Sequence, residues 1–263
     1  MRRARLDAEL VRRGLARSRE HAAGLIMDGR VTIAGQVASK AATAVDAATP
    51  VVVLAETGPS YASRGGHKLA GALDAFGYDP AGVRALDAGA STGGFTDVLL
   101  VRGATHVVAV DVGYGQLVWA LQSDARVTVL DRTNVRSLTP EQIGGPVDLV
   151  VADLSFIPLR LVLPALVACC GPGADLIPMV EPQFEVGRDR LPSGGVVRDH
   201  ALRAETVANV AAEAAALGWG VRGVTASPLP GPSGNVEFFL WLRADAPPLD
   251  DDALRRAVAE GPQ

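Results

Sequence analysis

Beyond residue 60 the chain repeats one rhythm, an apolar run followed by apolar positions three and four apart. The runs lie at 83–88, 106–111, 126–130, 147–152 and 174–180, and the helical spacing at 95–102, 115–122, 158–170 and 199–217. Strands separated by helix-length segments are joined by crossovers, so the rhythm predicts a parallel, doubly wound α/β sheet. It breaks near the end. Val221–Ala226 and Asn235–Arg243 are separated by Leu229-Pro230-Gly231-Pro232-Ser233-Gly234, which is too short for a crossover helix and predicts a closing antiparallel pair. After Pro247-Pro248 a last helix is expected over Asp250–Glu260, its acids in the first turn and Arg255 and Arg256 later, as the helix dipole favours.

The first 56 residues predict a small α+β module. Leu6, Leu10 and Val11 form one apolar face, and Ser18 can cap a second helix carrying Ala22, Leu25 and Ile26, with Gly29 ending it. Short strands are expected at Val31–Ile33 and Val51–Leu54, with turns at Ala34-Gly35 and near Pro50. The expected organisation is a module over 1–56, a linker over 57–62, a main domain over 63–246 entered by a helix at Leu69–Phe76, and an extension over 247–263.

Candidate chemistry gathers where the first strand of the main domain ends, in Asp87-Ala88-Gly89-Ala90-Ser91-Thr92-Gly93-Gly94-Phe95-Thr96. Strand, glycine-rich loop and helix make a nucleotide-binding unit, since glycine permits positive φ and a close backbone approach. Asp111, 22 residues after Gly89 at the end of the next strand, can accept hydrogen bonds from ribose hydroxyls. A dinucleotide fingerprint spaces its glycines G-x-G-x-x-G. The G-x-x-x-G-G spacing here argues against NAD and for S-adenosylmethionine. Asp153 ends the fourth strand, Glu181 ends the fifth and Glu237 opens the last; with Lys68 from the entering helix they can converge on the crevice where open α/β sheets bind ligands.

Charge adds a second theme. The net charge is −4, yet residues 1–30 hold eight arginines and four acids, so this segment is +4 and the remainder −8, which suggests a basic nucleic-acid-facing end on an acidic core. Only two lysines occur, Lys40 and Lys68, and lysine can do what arginine cannot. No stretch approaches 18 uncharged apolar residues, which points away from a membrane and to the cytoplasm. Cys169 and Cys170 are too few for a metal site and read as core packing, and no metal is expected.

The run from Arg5-Leu6-Asp7 through Ser18-Arg19, Gly29-Arg30-Val31 and Lys40 resembles the S4 RNA-binding domain. That resemblance implies phosphate contacts from Arg2, Arg3, Arg5, Arg17, Arg19 and Arg30, which position RNA without reading its sequence. Along almost its whole length the chain resembles the TlyA family of ribosomal-RNA ribose 2′-O-methyltransferases, relatives of the FtsJ methyltransferases. The motifs that carry this are Ser63-Arg64-Gly65-Gly66-His67-Lys68, the loop from Asp87 to Thr96, Asp111-Val112-Gly113-Tyr114-Gly115-Gln116-Leu117, Asp153-Leu154-Ser155-Phe156 and Gly231-Pro232-Ser233-Gly234-Asn235-Val236-Glu237. The resemblance implies a Rossmann-like class I methyltransferase sheet behind an S4-like domain, with ribosomal RNA or ribosomal subunits as partner and no obligatory protein partner. It also implies S-adenosylmethionine as cofactor, with Gly89, Ala90, Ser91 and Gly93 against its methionine part, Asp111 on the ribose and Asp131 near adenine.

The family's Lys-Asp-Lys-Glu tetrad matches Lys68, Asp153 and Glu237, while Glu181 stands where the family has its second lysine. Fully ionised, such a site carries −2 instead of zero, and crowding of like charges raises carboxyl pKa values, so a carboxylate becomes a candidate base. If Glu181 ended catalysis, the two folds would remain as an RNA-binding protein. Members of the family have also been called haemolysins, but no strongly amphipathic basic helix with aromatic anchors accompanies that name here.

Overall fold

The computed structural model describes residues 3–27, 29–54, 60–231 and 234–262, without the side chains of Glu20 and Met27. Arg2, positions 57–59 of the expected linker, and Pro232 and Ser233 lie outside the described residues. The chain forms two units, Met1–Ser60 and Tyr61–Gln263.

In the first unit, strand β1 (Ala4–Arg5) leads into helix α1 (Leu6–Arg12), followed by α2 (Arg19–Met27), β2 (Val31–Ile33), β3 (Gln36–Val37), β4 (Ala44–Val45) and β5 (Val51–Val53). β2 is the centre of a three-stranded antiparallel sheet with β3 and β5, and β1 pairs with β4. Leu6, Leu10, Ala22, Leu25, Ile26 and Val31 make the core. Ser18 Oγ accepts the His21 N–H at 3.0 Å, the expected cap of α2. β1, β3 and β4 were not expected; two-residue strands carry too little alternation to be read.

The second unit runs α3 (Gly65–Phe76), β6 (Arg84–Ala88), α4 (Gly94–Val101), β7 (His106–Val110), α5 (Trp119–Gln122), β8 (Val127–Leu130), β9 (Val147–Ala152), α6 (Leu163–Ala168), β10 (Cys170–Val180), α7 (Pro182–Glu185), α8 (His200–Ala216), β11 (Trp219–Ala226), β12 (Phe238–Ala244) and α9 (Asp251–Glu260). The seven strands are ordered β11-β12-β10-β9-β6-β7-β8. β10, β9, β6, β7 and β8 are parallel, and β12 runs antiparallel to both β10 and β11, the closing pair that the short 229–234 loop demands. Side chains alternate across the sheet. Leu86, Val108, Val150, Leu176 and Leu240 face α6, α8 and α9, whereas Ala85, Val107, Leu149, Ile177 and Phe239 face α3, α4 and α5. The order reverses at β6, which pairs with both β7 and β9, and such a switch point opens a crevice at the carboxyl ends of the strands.

Five expected boundaries move. Helix 115–122 shrinks to α5, because Gly115 takes φ +64° and Val118 is extended. Helix 158–170 splits into a 3₁₀ turn at Leu159–Leu161 and α6, since Pro158 and Pro164 each start a new turn. β10 begins at Cys170 instead of 174, and Gly171-Pro172-Gly173 lies where its register against β9 shifts. β12 starts at Phe238, not Asn235, while α3 starts at Gly65 and so takes in Lys68.

Candidate active site

The glycine loop leaves β6 with Gly89 at φ +88°, Ser91 at +47° and Gly93 at +102°. The Gly89 and Ala90 N–H groups both donate to the Val110 carbonyl, at 2.8 and 3.1 Å, which pins the loop across the end of β7. A side chain at Gly89 would strike the Asp153 carbonyl oxygen, and one at Gly93 would strike Leu117 and Leu121. These glycines are therefore required by backbone conformation and by space at once.

Three carboxylates brace the loop. Asp111 accepts the Ser91 N–H at 2.8 Å through Oδ2 and the Gly113 N–H at 2.6 Å through Oδ1. Asp131 accepts the Gly115 N–H at 2.9 Å, so the segment between β7 and α5 is a loop tied to the ends of β7 and β8 by Asp111 and Asp131. Asp87, wholly buried beneath, accepts from Thr96 Oγ1 at 2.7 Å, while its Oδ1 has no partner among the described residues. Burial above all raises its carboxyl to about 7. A glycine loop open to solvent at Ser91 and Thr92, an orphaned buried carboxylate oxygen below it and an acid at the next strand end fit a group bearing an amine and a ribose.

The second cluster forms at the neighbouring strand ends. Lys68 sits on α3, whose Leu69, Ala72 and Leu73 are buried in the core, and this draws the ammonium inward. Its Nζ lies 2.5 Å from Oε2 of the wholly buried Glu237. Because β12 is antiparallel, its first residue pairs with the last of β10, Phe238 opposite Val180, which sets Glu237 beside Glu181. Glu181 is buried; its Oε1 accepts from Gln183 Nε2 at 3.0 Å and its Oε2 from Ser155 Oγ at 3.4 Å. Burial, then the charges of Asp153 and Glu237, push its carboxyl up to about 8, against the pull of Lys68. Burial also raises Asp153 and Glu237, again opposed by the Lys68 ammonium. A proton on Glu181 brings the cluster to −1 near neutrality instead of −2. All four groups named from the sequence are thus electrostatically coupled at one place.

Phe156, beside this cluster, was not singled out from the sequence. It is 88% exposed at φ +68°, its ring 5.0 Å from that of Phe184. An exposed aromatic on strained backbone three residues from Asp153 is a signal visible only in three dimensions.

In the first unit Arg3, Arg17 and Arg19 are exposed, and Arg5 is also exposed. Arg30 differs, since its Nε and Nη2 donate to the Leu54 carbonyl at 3.3 Å, closing the sheet.

Residues 61–244, most of the chain, match the model of the FtsJ-like methyltransferases. The chain belongs to that family. Residues 4–49 match the S4 domain. This methyltransferase is 62% identical over 99% of both chains to the 16S/23S rRNA (cytidine-2′-O)-methyltransferase TlyA of Mycobacterium tuberculosis. It is 31% identical to the 23S rRNA (cytidine-2′-O)-methyltransferase TlyA of Campylobacter jejuni, over 69% of this chain and 70% of that one. A solved Streptococcus thermophilus structure bearing the name hemolysin matches 99% of this chain and 96% of its own at 37% identity and a TM-score of 0.78. S-adenosylmethionine is the methyltransferase's cofactor. Among the described residues no helix is long and apolar enough to cross a membrane.

Proposed function

We propose that this methyltransferase methylates the 2′-oxygen of cytidine ribose in the ribosomal RNA of both subunits, with the first unit holding the RNA. What carries the reading is one juxtaposition: Gly89 of the cofactor loop packs directly on the Asp153 carbonyl, so the cofactor cradle abuts the cluster of Lys68, Asp153, Glu181 and Glu237. The relatives that act on cytidine 2′-oxygens, and the S4 match, supply the substrate class.

In this scheme Gly89, Ala90, Ser91 and Gly93 line the methionine part of the cofactor, Asp111 takes the ribose hydroxyls and Asp131 lies toward adenine. When bound, S-adenosylmethionine supplies a methyl group made electrophilic by its sulfonium. A ribose hydroxyl is a poor nucleophile, so its proton has to be removed as it reacts. Glu181 is the group suited to this, since a carboxyl raised to about 8 is far more basic than an ordinary one and is matched to working pH. Lys68, paired with Glu237, faces the developing negative oxygen with its ammonium, and the charge of Asp153 favours keeping that ammonium at the site. Phe156 offers a face on which the base of the target nucleotide stacks.

The test is methyl incorporation from labelled cofactor into isolated 30S and 50S subunits, followed by nucleoside analysis. Label in 2′-O-methylcytidine of both RNAs is expected. Label on a base, or in neither RNA, overturns the reading, and label in one RNA alone overturns the two-subunit part.

A further inference from the structure

Arg5 and Arg19 are far more ordered than their exposure suggests. Arg5 is 52% exposed and Arg19 60%, yet both reach back to one carboxylate, Asp7, which is only 6% exposed. Arg5 approaches as a fork, Nε to Oδ1 and Nη2 to Oδ2, each at 3.1 Å. Arg19 Nη2 meets the same Oδ2 at 2.9 Å, and the Ala8 N–H donates to Oδ1 at 2.8 Å. Four donors fill the two oxygens. The guanidiniums, Arg5 first, hold the carboxyl down to about 2, so Asp7 is an anion at any working pH.

The neighbouring buried acid is wired differently. Glu9 binds Arg12 and Arg13, and Arg13 continues to the Thr49 carbonyl at 2.8 Å and the Asp46 carbonyl at 3.1 Å, bolting α1 to the 46–49 turn. The Arg5 and Arg19 side chains bond to nothing but Asp7 among the described residues. Sharing one oxygen, their Nη2 atoms lie within two hydrogen-bond lengths of each other. Each guanidinium has five N–H donors, of which Arg5 spends two here and Arg19 one. The rest remain for a ligand.

We propose that Asp7 is a positioning residue for RNA binding, which sets Arg5 and Arg19 as a paired clamp for one backbone phosphate. The clamp keeps a net charge of +1 after Asp7 is counted, and guanidiniums suit the geometry of phosphate oxygens. Asp7 also holds apart from solvent motion two long side chains whose rotamer freedom would otherwise be lost when RNA binds. The inference rests on the RNA-holding role of the first unit stated above.

Charge counting and positioning give opposite signs for Asp7→Asn. Removing a negative charge beside RNA should tighten binding if charge alone matters; loss of the clamp weakens it by about tenfold, the scale of one charge-assisted hydrogen bond. The measurement is the Kd of the full-length protein for isolated 30S and 50S subunits, with its Kd for S-adenosylmethionine as a check on the second unit. Equal or tighter subunit binding by Asp7→Asn overturns the inference. An Arg5→Lys/Arg19→Lys variant keeps both charges and loses the fork, so it should weaken binding comparably, and wild-type affinity there also overturns it. That variant decides the matter alone if Asp7→Asn unfolds the first unit. In an Arg5→Ala/Arg19→Ala background Asp7→Asn should cost nothing more; a further tenfold loss would make Asp7 a purely structural residue. If Arg5→Ala/Arg19→Ala itself binds like wild type, the RNA-holding role of these arginines is what has failed.

Discussion

Replacing Glu181 by glutamine exchanges an ionisable group for a neutral one of the same shape where ionisation is costly. The wild-type carboxyl is raised from its ordinary 4.5 to about 8, by burial first and then by Asp153 and Glu237. Between those two values the folded protein keeps a proton that the unfolded chain has released. The stability this gives is complete below the unfolded value and is lost as pH rises through the folded one. Each unit is about 1.4 kcal/mol, so this one group costs wild type up to roughly 5 kcal/mol across that window. Glutamine does not titrate and loses none of it.

Melting temperatures of wild type and Glu181→Gln, taken from about pH 5 to about pH 9, should therefore diverge, the variant gaining by up to roughly 10–20 °C at the alkaline end because 1 kcal/mol moves Tm by about 2–4 °C in a unit of this size. Asp87, whose carboxyl is also raised, lowers the stability of both proteins in the same sense, whereas Asp153 and Glu237 are relieved of the Glu181 charge in the variant and add to its gain at the alkaline end. Methyl transfer should move the other way. The wild-type rate climbs with pH and levels off above about 8, whereas Glu181→Gln loses that rising limb and falls by about 10²–10⁴-fold. A Tm difference flat across pH would refute the raised pKa. A glutamine variant with wild-type rate and the same limb would refute Glu181 as the base.

Glu181→Lys restores the charge sum of a two-lysine cluster but removes the carboxylate base, so it should transfer methyl groups more slowly than wild type; a faster variant would mark Glu181 as an obstacle to catalysis. Asp153→Ala should lose nearly all methyl transfer while its calorimetric affinity for S-adenosylmethionine stays within a few-fold of wild type, since the loop packs on the Asp153 main chain and not on its carboxylate. Asp111→Asn should bind that cofactor at least about tenfold more weakly, the scale of a charge-assisted hydrogen bond, and unchanged affinity would remove the ribose assignment. Affinity for ribosomal subunits should fall steeply with salt, and substituting Arg3, Arg5, Arg17 and Arg19 by alanine should flatten the log–log slope by about one for each phosphate that is no longer neutralised.

The sheet was legible because its strands are buried on both faces and read as unbroken apolar runs, and the closing pair because a six-residue loop rich in proline and glycine leaves no room for a helix. The start of β10 was not, because Gly171-Pro172-Gly173 has the composition of a turn and falls in the irregular stretch between the Cys170 and Asp175 pairings with β9. Segment 115–118 misled as well: it reads as the start of a helix over 115–122, but Gly115 takes φ +64° and Val118 is extended, so the helix begins only at Trp119.

In the candidate site, sequence placed Asp153, Glu181 and Glu237 at the strand ends and Lys68 on the entering helix, because strand order determines which ends share a crevice. It could count their formal charge but not their protons. A sum of −2 assumes that every carboxyl is ionised, and that assumption fails only once Glu181 is seen to be buried with two acids pressing on it and one ammonium, Lys68, already committed to Glu237. The same limit explains Asp7, which by sequence is one more acid subtracting from a basic segment. Buried under two exposed guanidiniums, it subtracts a charge and gives those that remain a geometry. In both places the count of charges was readable from the chain, while what each charge does depends on which neighbours share its burial.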